Sequence, residues 1–144
     1  MQSVNRIIFF VLALSFFQNG RAQDKVKTFY DSGNLKTEGI IKNGKRSSDW
    51  SYYFEEGNLR AIEKYRSGFI VQKKEYFESG ELKVSVYMLN ASNALQAYYY
   101  DREGRLIKSG LLNNDQQEIG EWLYYSDTGE LIKTLKFKDG QIID

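Results

Sequence analysis

The sequence predicts an all-β chain: an array of about five β-hairpin repeats forming a meandering, twisted antiparallel sheet, preceded by a secretory signal peptide. Three observations carry this. The pattern x-x-Gly-x-Leu recurs at Gly33-Asn34-Leu35, Gly57-Asn58-Leu59, Gly80-Glu81-Leu82, Gly104-Arg105-Leu106 and Gly129-Glu130-Leu131. These glycines lie 24, 23, 24 and 25 residues apart, and a fixed period of that size marks an array of small supersecondary units. Around each glycine the apolar residues recur with period two, the strand period, and no proline interrupts them.

The first element is the segment 1–22. It has a cationic start ending at Arg6, an apolar run from Ile7 to Phe17 and a polar close at Gly20-Arg21-Ala22. A run of 11 residues is too short to cross a hydrocarbon core that needs about 20, so the segment reads as a signal peptide cleaved near Ala22. Export to the periplasm, the cell surface or the medium follows as an expectation. Removing the segment takes away Arg6 and Arg21 and no acid, leaving 18 basic against 19 acidic residues on residues 23–144. So balanced a surface has no general attraction for nucleic acid. Cysteine is absent, so burial of apolar surface has to stabilise the fold without disulfides.

The repeats fall near 28–51, 52–74, 75–98, 99–123 and 124–144. Four residues before each turn glycine stands a ring: Phe29, Tyr53, Tyr76, Tyr100 or Tyr125. Two after it stands leucine, and eight after it Ile41, Tyr65, Met88, Leu112 or Phe137. Simple alternation assigns all of these to one shielded face and leaves the intervening charged positions wet. Glycine is needed in the turn because its closing residue takes φ > 0, which costs a residue bearing Cβ about 1–2 kcal/mol. A second turn follows 11 residues later in Asn43-Gly44, Ser67-Gly68 and Asp139-Gly140, so turns alternate between opposite ends of the strands. The third copy lacks this glycine, with Ala91 in its place, and the fourth reads Asn113-Asn114-Asp115-Gln116. These are the places expected to bulge or bend, and 93–99 is the one stretch that admits a short helical turn. Of the two sheet edges, Lys25 and Lys27 guard the first, while Ile132 to Phe137 with Ile142 and Ile143 leave the last less protected.

The run Tyr76-Phe77-Glu78-Ser79-Gly80-Glu81-Leu82-Lys83 and its four counterparts resemble the bacterial variant of the MORN repeat. The longer family pattern, with a Lys-Asn-Gly turn and Gly-x-Trp, is matched most fully between Phe29 and Phe54 and between Gly120 and Gly129. Trp122 follows Gly120 as the pattern expects, whereas Trp50 follows Ser48-Asp49. The resemblance implies a hairpin array used for protein or surface contact, without a reaction or a cofactor. It also carries the label of an antitoxin component of toxin–antitoxin systems.

No histidine or cysteine is present, which removes Ser-His-Asp and Cys-His nucleophiles, histidine zinc sites and thiol chemistry. Asp31, Glu55, Glu78 and Asp127 form a row of turn carboxylates, which read as turn-forming acids or, in a carbohydrate-cleaving alternative, as a catalytic pair. Their spacing supplies no calcium shell. Lys36, Arg60 and Lys83 form a basic row one unit apart, suited to solubility or to anionic lipid headgroups. Tyr52, Tyr99 and Tyr124 stand five residues before their glycines, next to the expected inward rings, and read as an exposed tyrosine stripe or, in a two-layer or rolled array, as part of a second covered face. Trp50 and Trp122 read as wedges between hairpins. The functional expectation is a non-catalytic interaction module that binds another protein or a cell-envelope component. Carbohydrate and lipid headgroups are the alternative ligands, with peripheral membrane contact in the latter case and no metal or nucleic acid.

Overall fold

The computed structural model describes residues 23–89 and 94–143. The expected signal segment and Ala91 lie outside them. The described chain forms eleven strands: β1 (Gln23–Phe29), β2 (Leu35–Lys42), β3 (Lys45–Tyr53), β4 (Leu59–Arg66), β5 (Phe69–Tyr76), β6 (Leu82–Met88), β7 (Leu95–Tyr100), β8 (Leu106–Leu112), β9 (Glu118–Tyr125), β10 (Leu131–Lys138) and β11 (Gln141–Ile142). They make one sheet in strict chain order, with antiparallel neighbours throughout, so the expected meander is what forms. The short helical turn allowed for 93–99 is replaced from Leu95 onward by β7, because Leu95, Ala97 and Tyr99 alternate onto the packed face; residue 93 is outside the described set.

Both turn types follow the backbone argument. Gly33, Gly57, Gly80, Gly104 and Gly129 have φ between 79° and 103°. In the second turns of the first, second and fifth units two successive residues take positive φ, as at Asn43 (52°) and Gly44 (72°), the signature of the I′ hairpin. Adjacent units are also tied turn to turn: the Asn34 side-chain amide donates to the Glu55 carbonyl at 2.8 Å, and that of Asn58 to the Glu78 carbonyl at 3.0 Å.

The faces differ from simple alternation, and the cause is one repeated irregularity. Tyr52 pairs with Ala61 but Tyr53 with Leu59, so Arg60 is an extra residue without an opposite number. The same shift skips Lys36, Lys83, Ile107 and Ile132 in the other units. A bulge of this kind reverses the side to which everything beyond it points. The rings four before each glycine therefore share a face with the Gly-x-Leu leucines, while positions four, six and eight after the glycine share the opposite face with the tyrosines five before it. The first set is only half-covered, and its end members Phe29 (58 % exposed) and Leu131 (55 %) are open to water. The ring-and-leucine ladders are thus not the core.

The core lies on the other face. Val84, Val86, Leu95, Ala97, Leu112, Trp122 and Phe137 form one buried cluster across β6 to β10, with Met88, Tyr99, Tyr124 and Leu135 packed against it. Full burial of such side chains contributes about 1.5–3 kcal/mol each, so this cluster anchors the sheet. The divergent third unit supplies four of its members, which makes its departure from the repeat a packing feature. Trp50, Ala61 and Glu63 are also buried, and Trp50 and Glu63 pair across β3 and β4. The tryptophans sit within this face, each across a glycine of the preceding strand. A Cβ on Gly39 or Gly110 would overlap ring atoms of Trp50 or Trp122, and each indole N–H donates at 3.1 Å to the next carbonyl, Ile40 or Leu111.

The sheet curves around this face. The Lys73 ammonium on β5 donates at 3.1 Å to the Gln116 side-chain carbonyl in the β8–β9 turn. Three inter-strand steps of about 4.8 Å separate those elements on a flat sheet, so the contact needs the face to close inward.

A charged cleft on the curved face

Each of the first four units presents one pair across the strands at a fixed place: the residue six after one turn glycine, and the residue seven before the next. The pairs are Gly39 with Trp50, Glu63 with Lys73, Val86 with Ala97, and Gly110 with Trp122. In the second unit an ion pair thus replaces the glycine–tryptophan filling. A cleft of about 590 Å³ opens there, lined by Arg46, Tyr52, Arg60, Glu63, Lys73 and Lys83, with Phe54, Tyr65, Tyr76, Glu75 and Gln116 among its other walls.

Glu63, only 9 % exposed, organises the floor. It accepts hydrogen bonds from the hydroxyls of Tyr52 at 2.5 Å and Tyr65 at 2.8 Å, and its second oxygen lies 3.9 Å from the Lys73 ammonium. Arg46 donates to the same two hydroxyls, at 2.5 Å and 2.9 Å, and stands 4.3 Å from the Trp50 ring centre. Each phenol thus accepts from a cation and donates to a carboxylate, so the buried charge has its partners. Lys73 completes the group with a 2.6 Å pair to Glu75. Burial, then the bond to Glu63, raises the pKa of both phenols above the ordinary tyrosine value.

Of the residues singled out from sequence, Tyr52, Arg60 and Lys83 meet in this cleft. The other three do not. Lys36 lies over the Tyr30 ring at 5.1 Å, one unit away. Tyr99 packs on Trp122 with ring centres 5.8 Å apart, and Tyr124 lies against the same core. The expected exposed stripe is therefore a half-buried row on the packed face, because the bulges put it there. Sequence reasoning missed Arg46, Glu63, Tyr65, Lys73 and Gln116. The available signal was a charged pair at the place that holds glycine and tryptophan in the first and fourth units.

A second cation sits on the other tryptophan. Lys108 lies 4.6 Å from the Tyr99 ring and 4.8 Å from that of Trp122, and pairs with Glu118 at 2.7 Å. The turn carboxylates Asp31, Glu55, Glu78 and Asp127 are exposed at the hairpin tips and line none of the cleft. The cleft's own acids, Glu63 and Glu75, are both held by Lys73. Among the described residues no group of three acidic side chains is placed to hold a metal ion.

Comparison with known proteins fits this geometry. Residues 25–43 match the family described as the MORN repeat variant. That stretch is the β1–β2 hairpin with its Asn43 turn, and the match supports a MORN-repeat relationship for the chain. No curated protein matches it.

Proposed function

We propose that this protein is an exported, non-catalytic MORN-type interaction module whose binding face is the curved face around Arg46, Tyr52, Arg60 and Lys83. The single observation that carries the reading is the cleft itself. One unit of a repeat array gives up its apolar filling for a buried, fully paired charge network beneath two exposed cations. Such a substitution does not improve stability, since a well-packed apolar pair usually serves as well or better. MORN repeats generally serve as protein- or lipid-interaction modules, which agrees with a surface of this kind. Export rests on segment 1–22, and an antitoxin-type role would run through the same cleft as capture of a partner protein.

The test is site-specific photo-crosslinking in intact cells. A crosslinking side chain at position 60 or 83 is expected to capture a discrete partner, whereas one at Lys64, exposed on the opposite face, captures none. Capture from position 64 with silence at 60 and 83 would put the binding surface on the wrong side. Fractionation of the same cells checks export, which fails if the protein stays in the cytoplasm with residues 1–22 attached.

A further inference from the structure

Resting on that reading of the face, we infer that the cleft takes an extended acidic segment of a partner protein, with two carboxylates three residues apart seated on Arg60 and Lys83. Four cations and two carboxylates line the cleft, an excess of two positive charges. Arg46 and Lys73 are held by Glu63 and Glu75. Arg60 and Lys83 are not: among the described residues neither has a carboxylate within ion-pair distance. They lie against ring faces, Arg60 5.9 Å from the Tyr52 centre and Lys83 5.7 Å from that of Phe77. The unspent charge is therefore on the two residues that the bulges push out of the strand ladder.

Their spacing selects the ligand. Arg60 and Lys83 occupy equivalent places on β4 and β6, two strand steps or about 10 Å apart. A peptide extended in the polyproline II form advances about 3.1 Å per residue with three residues per turn, so carboxylates at positions i and i+3 lie on one side of it and span about 9 Å when the peptide runs across the strands. Arg60 offers a planar fork to one carboxylate and Lys83 a point charge to the other. Phe54 lines the cleft beside them and gives the intervening residues an apolar contact. A third observation marks the same place. Gln116, which walls the cleft through its bond to Lys73, holds φ at 62° at the turn place that Gly33 takes in the β1–β2 hairpin. A flat layer of lipid headgroups suits this concavity poorly, and the strongly exposed apolar residues Ile132, Ile142 and Ile143 lie at the β10–β11 edge, away from it.

The probe is an eight-residue peptide of glycine and serine with Glu at positions 3 and 6, titrated into the isotope-labelled protein and followed by NMR. Shifts are expected at Arg60, Lys83 and Tyr76, with an affinity that falls as salt rises. Replacing either Glu by Gln, moving the two Glu to adjacent positions, or making Arg60→Gln or Lys83→Gln each weakens binding about tenfold, the equivalent of about 1.4 kcal/mol. Both variants alter exposed residues and are expected to keep the parent melting temperature. Equal binding of the Glu and Gln peptides, indifference to both substitutions, or no shifts at all overturns the inference. So does retention on anionic vesicles that both variants lose, in the absence of peptide binding. If the peptide fails while crosslinks from positions 60 and 83 still capture a protein, the acidic segment is wrong and the interaction-module reading stands.

Discussion

Trp122 lies across Gly110 so closely that the glycine leaves no room for a methyl group, and Trp50 has the same relationship to Gly39. The two pairs are the repeat's own way of covering its curved face. Each places a large ring over bare backbone and fixes it with an indole-to-carbonyl bond. What happens between them, at Glu63 and Lys73, is the departure on which the cleft depends.

Gly110→Ala is expected to destabilise the protein by about 2–3 kcal/mol, at the upper end of overpacking costs, because Trp122 is wholly buried and cannot move aside. Gly39→Ala should behave alike at Trp50. Urea unfolding of the two variants checks this, and a neutral result at either site would mean that the ring does not lie on its glycine.

Ser48 and Gly120 hold the same place before their tryptophans, and both have positive φ, 59° and 66°. A residue bearing Cβ pays for that conformation, so Ser48→Gly should raise stability by up to about 1 kcal/mol and Gly120→Ser lower it similarly. Opposite signs in the same denaturation assay are the expected outcome, and equal signs would contradict the shared turn geometry.

Glu63→Gln leaves Arg46 and Lys73 without their shared carboxylate and should cost about 3 kcal/mol, as for other broken buried pairs. Lys73→Trp alone removes the cation paired with Glu75 and one of the two beside Glu63, and should also destabilise. Combining Glu63→Gly with Lys73→Trp rebuilds the pair found in the first and fourth units, so the double variant should be more stable than the sum of the single changes predicts. A thermodynamic cycle on the four proteins measures the coupling, and strict additivity would deny that the positions are equivalent.

The tyrosines of the cleft give a pH dependence with a definite sign. Tyr52 and Tyr65 titrate higher when folded than their ordinary value of 10.0, chiefly through burial and then through Glu63. The folded state therefore holds protons that the unfolded state releases, and the stability this gives is present below pH 10 and declines as pH rises past it. Thermal melts from pH 8 to 11 should show a falling midpoint, with a shallower fall in Tyr52→Phe. Identical slopes in the variant and the parent would remove Tyr52 from the account.

Gln116→Gly should relieve the φ of 62° and leave stability unchanged or slightly raised, while releasing Lys73 from the β8–β9 turn. Faster amide exchange at Lys73 and its neighbours, with an unchanged melting midpoint, is the outcome to look for. Unchanged exchange would show that the turn is held over the cleft by something else.

Much of the architecture was legible in residue order alone. The glycine period, the Leu two places on and the Asn-Gly and Asp-Gly pairs specify turns by backbone sterics, which are local, and so the eleven-strand meander follows from sequence. The inward face was not legible in the same way. It hangs on a single extra residue per unit, Lys36, Arg60, Lys83, Ile107 or Ile132, whose place as a bulge is set by how two strands pair and not by its own chemistry. That one-residue step sends Tyr99 and Tyr124 to the core and turns Tyr53 and Leu59 away from it. The cleft is more distant still from the sequence. Lys73 and Gln116 are 43 residues apart, and only the curvature of the whole sheet brings them within a hydrogen bond.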